Sequence, residues 1–306
     1  MAIISNFKSQ FLCSCALVLI TGMTVNGQTA ARTASPVEKL LNAGRPLVIG
    51  HRGYCQMAPE NTLPSFKLAK SAGADLVELD YHHAKDGVPV VIHDFELDRT
   101  TDAVAKWGGK KIRVDSKTAA ELRALDAGKW FDARFADTRL PSLSEALDLI
   151  QDGSMTLIER KGGEAATLVK LLQERKLVNQ LIVQSFDWAY LEDFHQQEPA
   201  QVLGALGPPA TRGGKKLSDA EKMLDASWIA GAAKTGARVI GWSQNVTREA
   251  VALAHAQGLQ VWIYTIDEPA LANQFLDWGV DGIISNNPAI IWRTLALRGL
   301  KASPAP

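Results

Sequence analysis

The sequence predicts an α/β fold, a (β/α)8 TIM barrel with an insertion after the second strand. Three observations lead there. Short Val/Ile/Leu-rich runs alternate with amphipathic stretches along most of the 306 residues, which implies a parallel sheet with helical crossovers. The runs are near-continuously apolar, as strands buried on both faces are. Nine such runs are present, and the connection into one of them excludes it from the ring, leaving the eight that a closed barrel requires.

The candidate strands are Leu47–Gly50, 75–81, 88–92, Met155–Arg160, 181–186, 201–206, 238–242, 260–265 and Gly282–Ser285. Helical periodicity fills the intervals at 62–72, Leu143–Gln151, Ala165–Glu174, 220–234 and 268–278. Only six residues separate Tyr81 from Val88, and Asp86-Gly87 lies among them. Asp-Gly is a tight hairpin signal, whereas a parallel crossover needs a dozen residues or more. The run 88–92 is therefore expected to turn back antiparallel above the barrel mouth. Residues 94–140 form the insertion, with Gly108-Gly109 and the aromatics Trp107, Trp130, Phe131 and Phe135, and are expected to cover the catalytic face. A second irregular stretch, Gly207 to Ser218, follows a strand and belongs at the same face.

The ends of the chain read differently. Lys8 followed by a mostly apolar run from Phe11 to Met23 and the modest Val25-Asn26-Gly27 reads as a secretory signal peptide over residues 1–27. The apolar run is too short for a stable membrane span, so the expected location is exported, periplasmic or secreted. Residues 28–40, small and polar from Ala30 to Pro36, read as a linker to a barrel over 41–299, with 300–306 as a tail. Cys13 and Cys15 fall in the leader, so the mature chain retains Cys55 alone and no internal disulfide is expected. No Cys/His/Asn pattern accompanies Cys55, which reads as a packed residue. Lys+Arg and Asp+Glu balance at 33 each, so neither a basic surface for nucleic acid nor an acidic tail is expected; the partner is a small molecule.

Chemistry in this architecture sits at the C-terminal strand ends. The first strand runs into His51-Arg52-Gly53, the second ends in Glu78-Leu79-Asp80, and the Met155–Arg160 strand runs into Glu159-Arg160-Lys161. Residues i and i+2 share a face. Glu78 with Asp80, and Glu159 with Lys161, thus point the same way, while Arg160 turns outward. Three inward carboxylates at one mouth repel unless a cation joins them, and oxygen-only ligation suits Mg²⁺ or Ca²⁺. A two-residue turn at Asp86-Gly87 would set His93 opposite Asp80, within about 5.5 Å between Cα atoms. Two imidazoles, His51 and His93, beside a cation suit acid/base work near neutral pH. Arg52 and Lys161 complete a clamp for an anion, a phosphodiester or a carboxylate.

His51-Arg52-Gly53, Pro59-Glu60-Asn61-Thr62, Glu78-Leu79-Asp80 and the run from Asp86 to Asp94 strongly resemble the glycerophosphodiester phosphodiesterase family in order and spacing. Arg99-Thr100-Thr101, Leu140-Pro141-Ser142-Leu143 and the run from Gly279 to Ile284 extend the likeness over roughly Leu47 to Trp292. The resemblance implies metal-dependent hydrolysis of glycerophosphodiesters to glycerol 3-phosphate and an alcohol. It implies His51 and His93 as acid and base, Glu78, Asp80 and Glu159 as ligands of the cation, Arg52 and Lys161 on the phosphate, and Glu60 beside the site. The nucleophile is water or the glycerol 2-hydroxyl. The stretch Val261-Trp262-Ile263-Tyr264-Thr265-Ile266 departs from the Trp-Thr-Val-Asn common in the family, bringing in Tyr264 and lacking the Asn. Trp262 is a candidate for the glycerol pocket, with a barrel-core place as the alternative. His82 and His83 are candidates for supporting contacts, and His195 and His255 read as surface or structural. A phospholipase D of the sphingomyelinase D type is the competing reading, since it would share the histidines and acids but take lipids at an apolar rim.

Overall fold

The computed structural model describes residues 34–212 and 214–299. The expected signal peptide, 1–27, and the tail, 300–306, lie outside the described residues.

The strands are β1 Leu47–Gly50, β2 Leu76–His83, β3 Pro89–Val91, β4 Met155–Arg160, β5 Ile182–Ser185, β6 Val202–Gly207, β7 Thr211–Arg212, β8 Lys215–Lys216, β9 Val239–Trp242, β10 Gln260–Ile263 and β11 Gly282–Ser285. Eight of them close a parallel ring in the order β1-β11-β10-β9-β6-β5-β4-β2, with β1 pairing back to β2. The alternation of the strands divides the side chains into two sets. Val48, Val77, Leu79, Ile158, Val183, Leu203, Ile240, Val261 and Ile283 face the helices in one continuous core. The other set faces inward and stacks in layers, as barrels of this kind do. The lower layers are apolar: Leu47, Ile49, Leu76, Met155, Leu157, Ile182, Val202, Val239, Trp262 and Ile284 pack together. Two residues further along the strands the inward positions become Glu78, Asp80, Glu159 and Gln184, so the polar mouth sits on an apolar floor.

That floor is closed by a short helix, Pro36–Leu41, which buries Val37, Leu40 and Leu41 against the lower layer. The linker expected over 28–40 is thus corrected at its C-terminal end. Ser35 caps this helix through a reciprocal capping box with Glu38, and Pro36 occupies its first turn, where a missing N–H costs nothing.

β3 runs antiparallel to β2, as the sequence spacing requires, but one residue out of the expected register: Tyr81 faces Val91 and His82 faces Val90. The turn is not the two-residue Asp86-Gly87. Gly87 N–H donates to Ala84 O (2.9 Å), Ala84 N–H donates to Val88 O (2.9 Å), and Gly87 takes φ +77°. A tight turn centred on Lys85-Asp86, followed by a left-handed glycine, makes a three-residue loop with a bulge. His93 therefore lies beyond β3 rather than in the ladder opposite Asp80, whose carbonyl instead accepts from Ile92 N–H (3.0 Å).

The insertion folds on its own small core. Leu97, Ala103, Val114, Leu122, Leu125, Ala127 and Leu140 pack with Val90 and Ile92 of the hairpin. No helix among the described residues is long and apolar enough to cross a membrane.

Candidate active site

The C-terminal ends of the strands converge on a cavity of about 240 Å³ lined by His51, Arg52, Glu78, His93, Glu159, Lys161, Gln184, Phe186, Leu206, Tyr264, Thr265 and Ile284. Larger or comparable hollows exist elsewhere, but this is the one that gathers the ionisable strand ends. Glu78, Asp80 and Glu159 are buried and offer oxygens within 4.8 Å of one another. Two ligands on opposite sides of an ion at about 2.4 Å each stand that far apart, so the trio fits a hard divalent cation. Glu78 Oε1 is buried without a hydrogen-bond partner, so this carboxylate oxygen has its lone pairs to offer such an ion.

The rest of each acid is held. Arg52 N–H donates to Glu78 Oε2 (2.6 Å), and Asn61 Nδ2 donates to Asp80 Oδ2 (2.8 Å). Asn61 also accepts the Asp80 N–H through Oδ1 (3.0 Å), pinning the loop after β1 onto β2. Lys161 Nζ lies 3.2 Å from Asp80 Oδ1 and pairs with Glu159, while Arg52 Nε lies 3.5 Å from Asp80 Oδ2. Burial, together with the neighbouring Asp80 and Glu159, pushes Glu78 well above the usual carboxylate range. Burial and Asp80 push Glu159 up to about 7. Burial opposes ionisation of Asp80 as well, but Lys161 and Arg52 overcome it and bring that carboxyl down to about 2.

The chain reaches this geometry through a sharp reversal after β1. Arg52 takes φ +51° and Gly53 φ +87°. A Cβ on Gly53 would lie 2.3 Å from Ser65 Oγ and 2.7 Å from the Ser65 carbonyl carbon, so only glycine fits. The reversal turns the Arg52 N–H onto Glu78 and leaves His51 at the strand end.

Both imidazoles are held by one nitrogen. His51 Nδ1 lies 2.7 Å from Asn286 Oδ1. Asn286 donates its Nδ2 to Asp267 Oδ2 (2.7 Å), which orients the amide oxygen toward the ring. Nδ1 must then carry the proton, and Nε2 is left as the basic atom. Cys55 Sγ donates to the same Asn286 oxygen (2.9 Å), and burial pushes the thiol up to about 12, so Cys55 is a protonated packed residue as expected. Burial, reinforced by the Arg52 charge, lowers His51 to about 4. His93 Nδ1 lies 2.6 Å from Asp94 Oδ1, again leaving Nε2 free. Burial lowers His93 while Asp80 opposes the shift. His82 Nε2 meets the His93 carbonyl at 3.1 Å, the supporting contact foreseen for it.

The structure thus brings together His51, His93, Glu78, Asp80, Glu159, Arg52 and Lys161, with Glu60 on Arg52 NH1 at 2.9 Å. Trp262 is corrected. Its side chain is fully buried in the lower apolar layer, stacked over Gly282, and Tyr264, one step up the same inward face, lines the cavity instead. Tyr264 donates its hydroxyl to Gly207 O (2.6 Å) and meets Phe186 edge-on. Arg160 points outward to Asp187 (2.9 Å), as alternation requires. His255 pairs with Asp281 (2.7 Å) away from the mouth.

Comparison with known proteins gives one consistent family. The sequence model of the glycerophosphoryl diester phosphodiesterase family matches residues 51–290. A glycerophosphodiester phosphodiesterase of Bacillus subtilis is 30% identical over 84% of this chain and 88% of its own. One from Caldanaerobacter subterraneus is 32% identical over 80% of this chain and 95% of its own. The solved structure of an Oleispira antarctica phosphodiesterase, in complex with the product sn-glycerol-3-phosphate, superposes with a TM-score of 0.72 at 28% identity, covering 84% of this chain and 99% of that one.

Proposed function

Because the chain belongs to the glycerophosphoryl diester phosphodiesterase family, we propose that it hydrolyses glycerophosphodiesters to sn-glycerol 3-phosphate and an alcohol at this barrel mouth. The observation that carries the assignment to these residues is the meeting of three buried acids, two singly anchored imidazoles and two cations at one barrel mouth, around a cavity of about 240 Å³.

Glu78, Asp80 and Glu159 would hold a divalent cation, Mg²⁺ or Ca²⁺. When bound, that ion supplies charge to offset the phosphoryl oxygens as negative charge builds on them. Arg52 and Lys161 do the same from the protein side; their charges already face the cavity and need no reorganisation. The two imidazoles divide the proton work according to their partners. His51 rests on a neutral amide and is pushed to about 4, so it is unprotonated at neutral pH and takes the proton of the attacking hydroxyl at Nε2. Burial lowers His93 as well, but its Asp94 carboxylate and the nearby Asp80 oppose the shift, so of the two rings it is the one placed to hold a proton for the departing alkoxide. The attacking hydroxyl belongs to water, which gives glycerol 3-phosphate directly, or to C2 of the glycerol, which gives a cyclic phosphodiester that a water then opens.

An adjoining groove of about 700 Å³, lined by Phe186, Pro208, Pro209, Thr211, Ser243, Asn245 and Tyr264, shares Phe186 and Tyr264 with the cavity and gives the departing alcohol room. The apolar leader supports export of the protein to the periplasm or medium.

The test is turnover of glycerophosphocholine beside lysophosphatidylcholine and sphingomyelin, reading choline, which cleavage of any of the three releases, with glycerol 3-phosphate read in parallel from the deacylated diester. Release from the deacylated diester is expected. Turnover confined to the acylated lipids would move the protein to the phospholipase D reading.

A further inference from the structure

Arg99 lies in the insertion, 45% exposed, and has no part in the proton or phosphate steps above. Its guanidinium nevertheless uses both edges. Nε and NH2 donate to Asp94 Oδ2 (2.6 Å) and Oδ1 (3.0 Å), while NH1 and NH2 donate to Glu60 Oε2 (2.8 Å) and Oε1 (2.8 Å). Each acid passes one of those oxygens on to an active group. Asp94 Oδ1 also takes His93 Nδ1 (2.6 Å), and Glu60 Oε1 also takes Arg52 NH1 (2.9 Å). The result is an unbroken chain, His93–Asp94–Arg99–Glu60–Arg52, that crosses the mouth between two loops.

We propose that Arg99 is a positioning residue that sets the His93 imidazole and the Arg52 guanidinium in register with each other, the first through Asp94 and the second through Glu60. The inference rests on the hydrolase reading above.

The reason is geometric. Asp94 follows β3 and Glu60 follows β1, and two carboxylates facing each other repel. One planar cation with five donors in a rigid fork can bind both side-on and fix their separation; an ammonium cannot. An ordinary exposed ion pair contributes almost nothing. Here, though, both acids are bound by two donors each, and both are already committed to groups whose placement matters to a fraction of an ångström. Misplacing a reacting group by about 1 Å costs on the order of 10²-fold.

The experiment is kinetic, with glycerophosphocholine as substrate. Arg99→Ala is expected to lose about 10²-fold in kcat/KM. Its melting temperature should fall by no more than a few degrees, the loss expected when Glu60 and Asp94 give up a shared partner, and the variant should remain folded at the assay temperature. Arg99→Lys should be nearly as impaired. Guanidinium at low millimolar concentration should restore part of the Arg99→Ala rate, and methylammonium should not. In an Asp94→Asn/Glu60→Gln background, where both branches are already cut, removing Arg99 should cost less than about twofold, the non-additivity expected of one network. The proposal is overturned if Arg99→Ala stays within about threefold of wild type. An equal loss in the severed background, or equal rescue by methylammonium, overturns it too. A wild-type protein inert toward glycerophosphodiesters would bring down the hydrolase reading as well, and so is a separate result.

Discussion

Adding a divalent cation should stabilise this protein more at pH 8 than at pH 5. Burial and the neighbouring Asp80 push the Glu159 carboxyl up to about 7 from an ordinary 4.5 when no cation is present. A group with a raised folded-state pKa gives stability that is intact below its unfolded value and lost as pH rises through the folded one. At 1.36 kcal/mol per unit, the metal-free fold loses about 3 kcal/mol from Glu159 between pH 4.5 and 7. Glu78 shifts in the same direction and adds to it. A bound cation removes the penalty by ionising both acids, but at pH 5 it must first displace their protons. Other groups titrate nearby, among them His93, which burial lowers in the same sense as His51 and which enters both arms of the comparison. Asp80, held down to about 2, is ionised throughout this window and adds no slope. His51, lowered by burial to about 4, makes the fold gain stability as pH rises from 4 to 6.5, with or without metal, and cancels in a difference. The readout is therefore the melting temperature with saturating Mg²⁺ or Ca²⁺ minus that with chelator. For a chain of this size about 3 kcal/mol corresponds to roughly 6–10 °C, so the difference should grow by that much between pH 5 and pH 8. Glu159→Gln should flatten it. A difference that is zero, or the same at both pH values, would refute the reasoning.

Three further outcomes follow from the same geometry. His51→Ala and His93→Ala should each lower kcat by about 10²-fold or more with KM little changed, measured by glycerol 3-phosphate release; full activity in both would remove the acid/base assignment. Gly53→Ala should destabilise the fold by at least about 1 kcal/mol in chemical denaturation, because it forces a Cβ onto Ser65 at positive φ. Expressed with its leader, the protein should appear outside the cytoplasm with a mature N-terminus near Gln28, read by N-terminal sequencing; an intact Met1 in the cytoplasmic fraction would contradict the export reading.

Much of the architecture was legible because it rests on short-range rules. Six residues between Tyr81 and Val88 admit a hairpin and nothing else, and i/i+2 parity alone turned Glu78, Asp80, Glu159 and Lys161 into one mouth. What escaped depended on finer information. Asp-Gly marks a turn, but whether that turn holds two residues or three depends on where glycine takes its left-handed φ, so the register came out one residue off. The helix Pro36–Leu41 spans too few turns to show periodicity, although Ser35-Pro36-Val37-Glu38 carries the capping-box spacing that would have revealed it. Trp262 was placed on the correct inward face but at the wrong depth: two residues along a strand move a side chain about 7 Å down the barrel, from the mouth into the apolar floor. Asn286 and Asp267, which fix the His51 tautomer, carry no strand-end charge signal: Asn286 directly follows β11 but does not titrate, and Asp267 stands four residues past the end of β10. Asp94 and Arg99 lay within the family motifs, but their joint contact with Glu60 is a tertiary fact that no spacing encodes.

The claim that the acidic trio works through a divalent ion is tested most directly by metal reconstitution. Protein stripped with EDTA and dialysed is assayed for glycerol 3-phosphate release from glycerophosphocholine while Mg²⁺ or Ca²⁺ is titrated back, beside Asp80→Asn treated identically. Stripped wild type should be inactive and recover with added ion, and Asp80→Asn should stay inactive at every concentration. Undiminished turnover by the stripped wild type, or full recovery by Asp80→Asn, would contradict it.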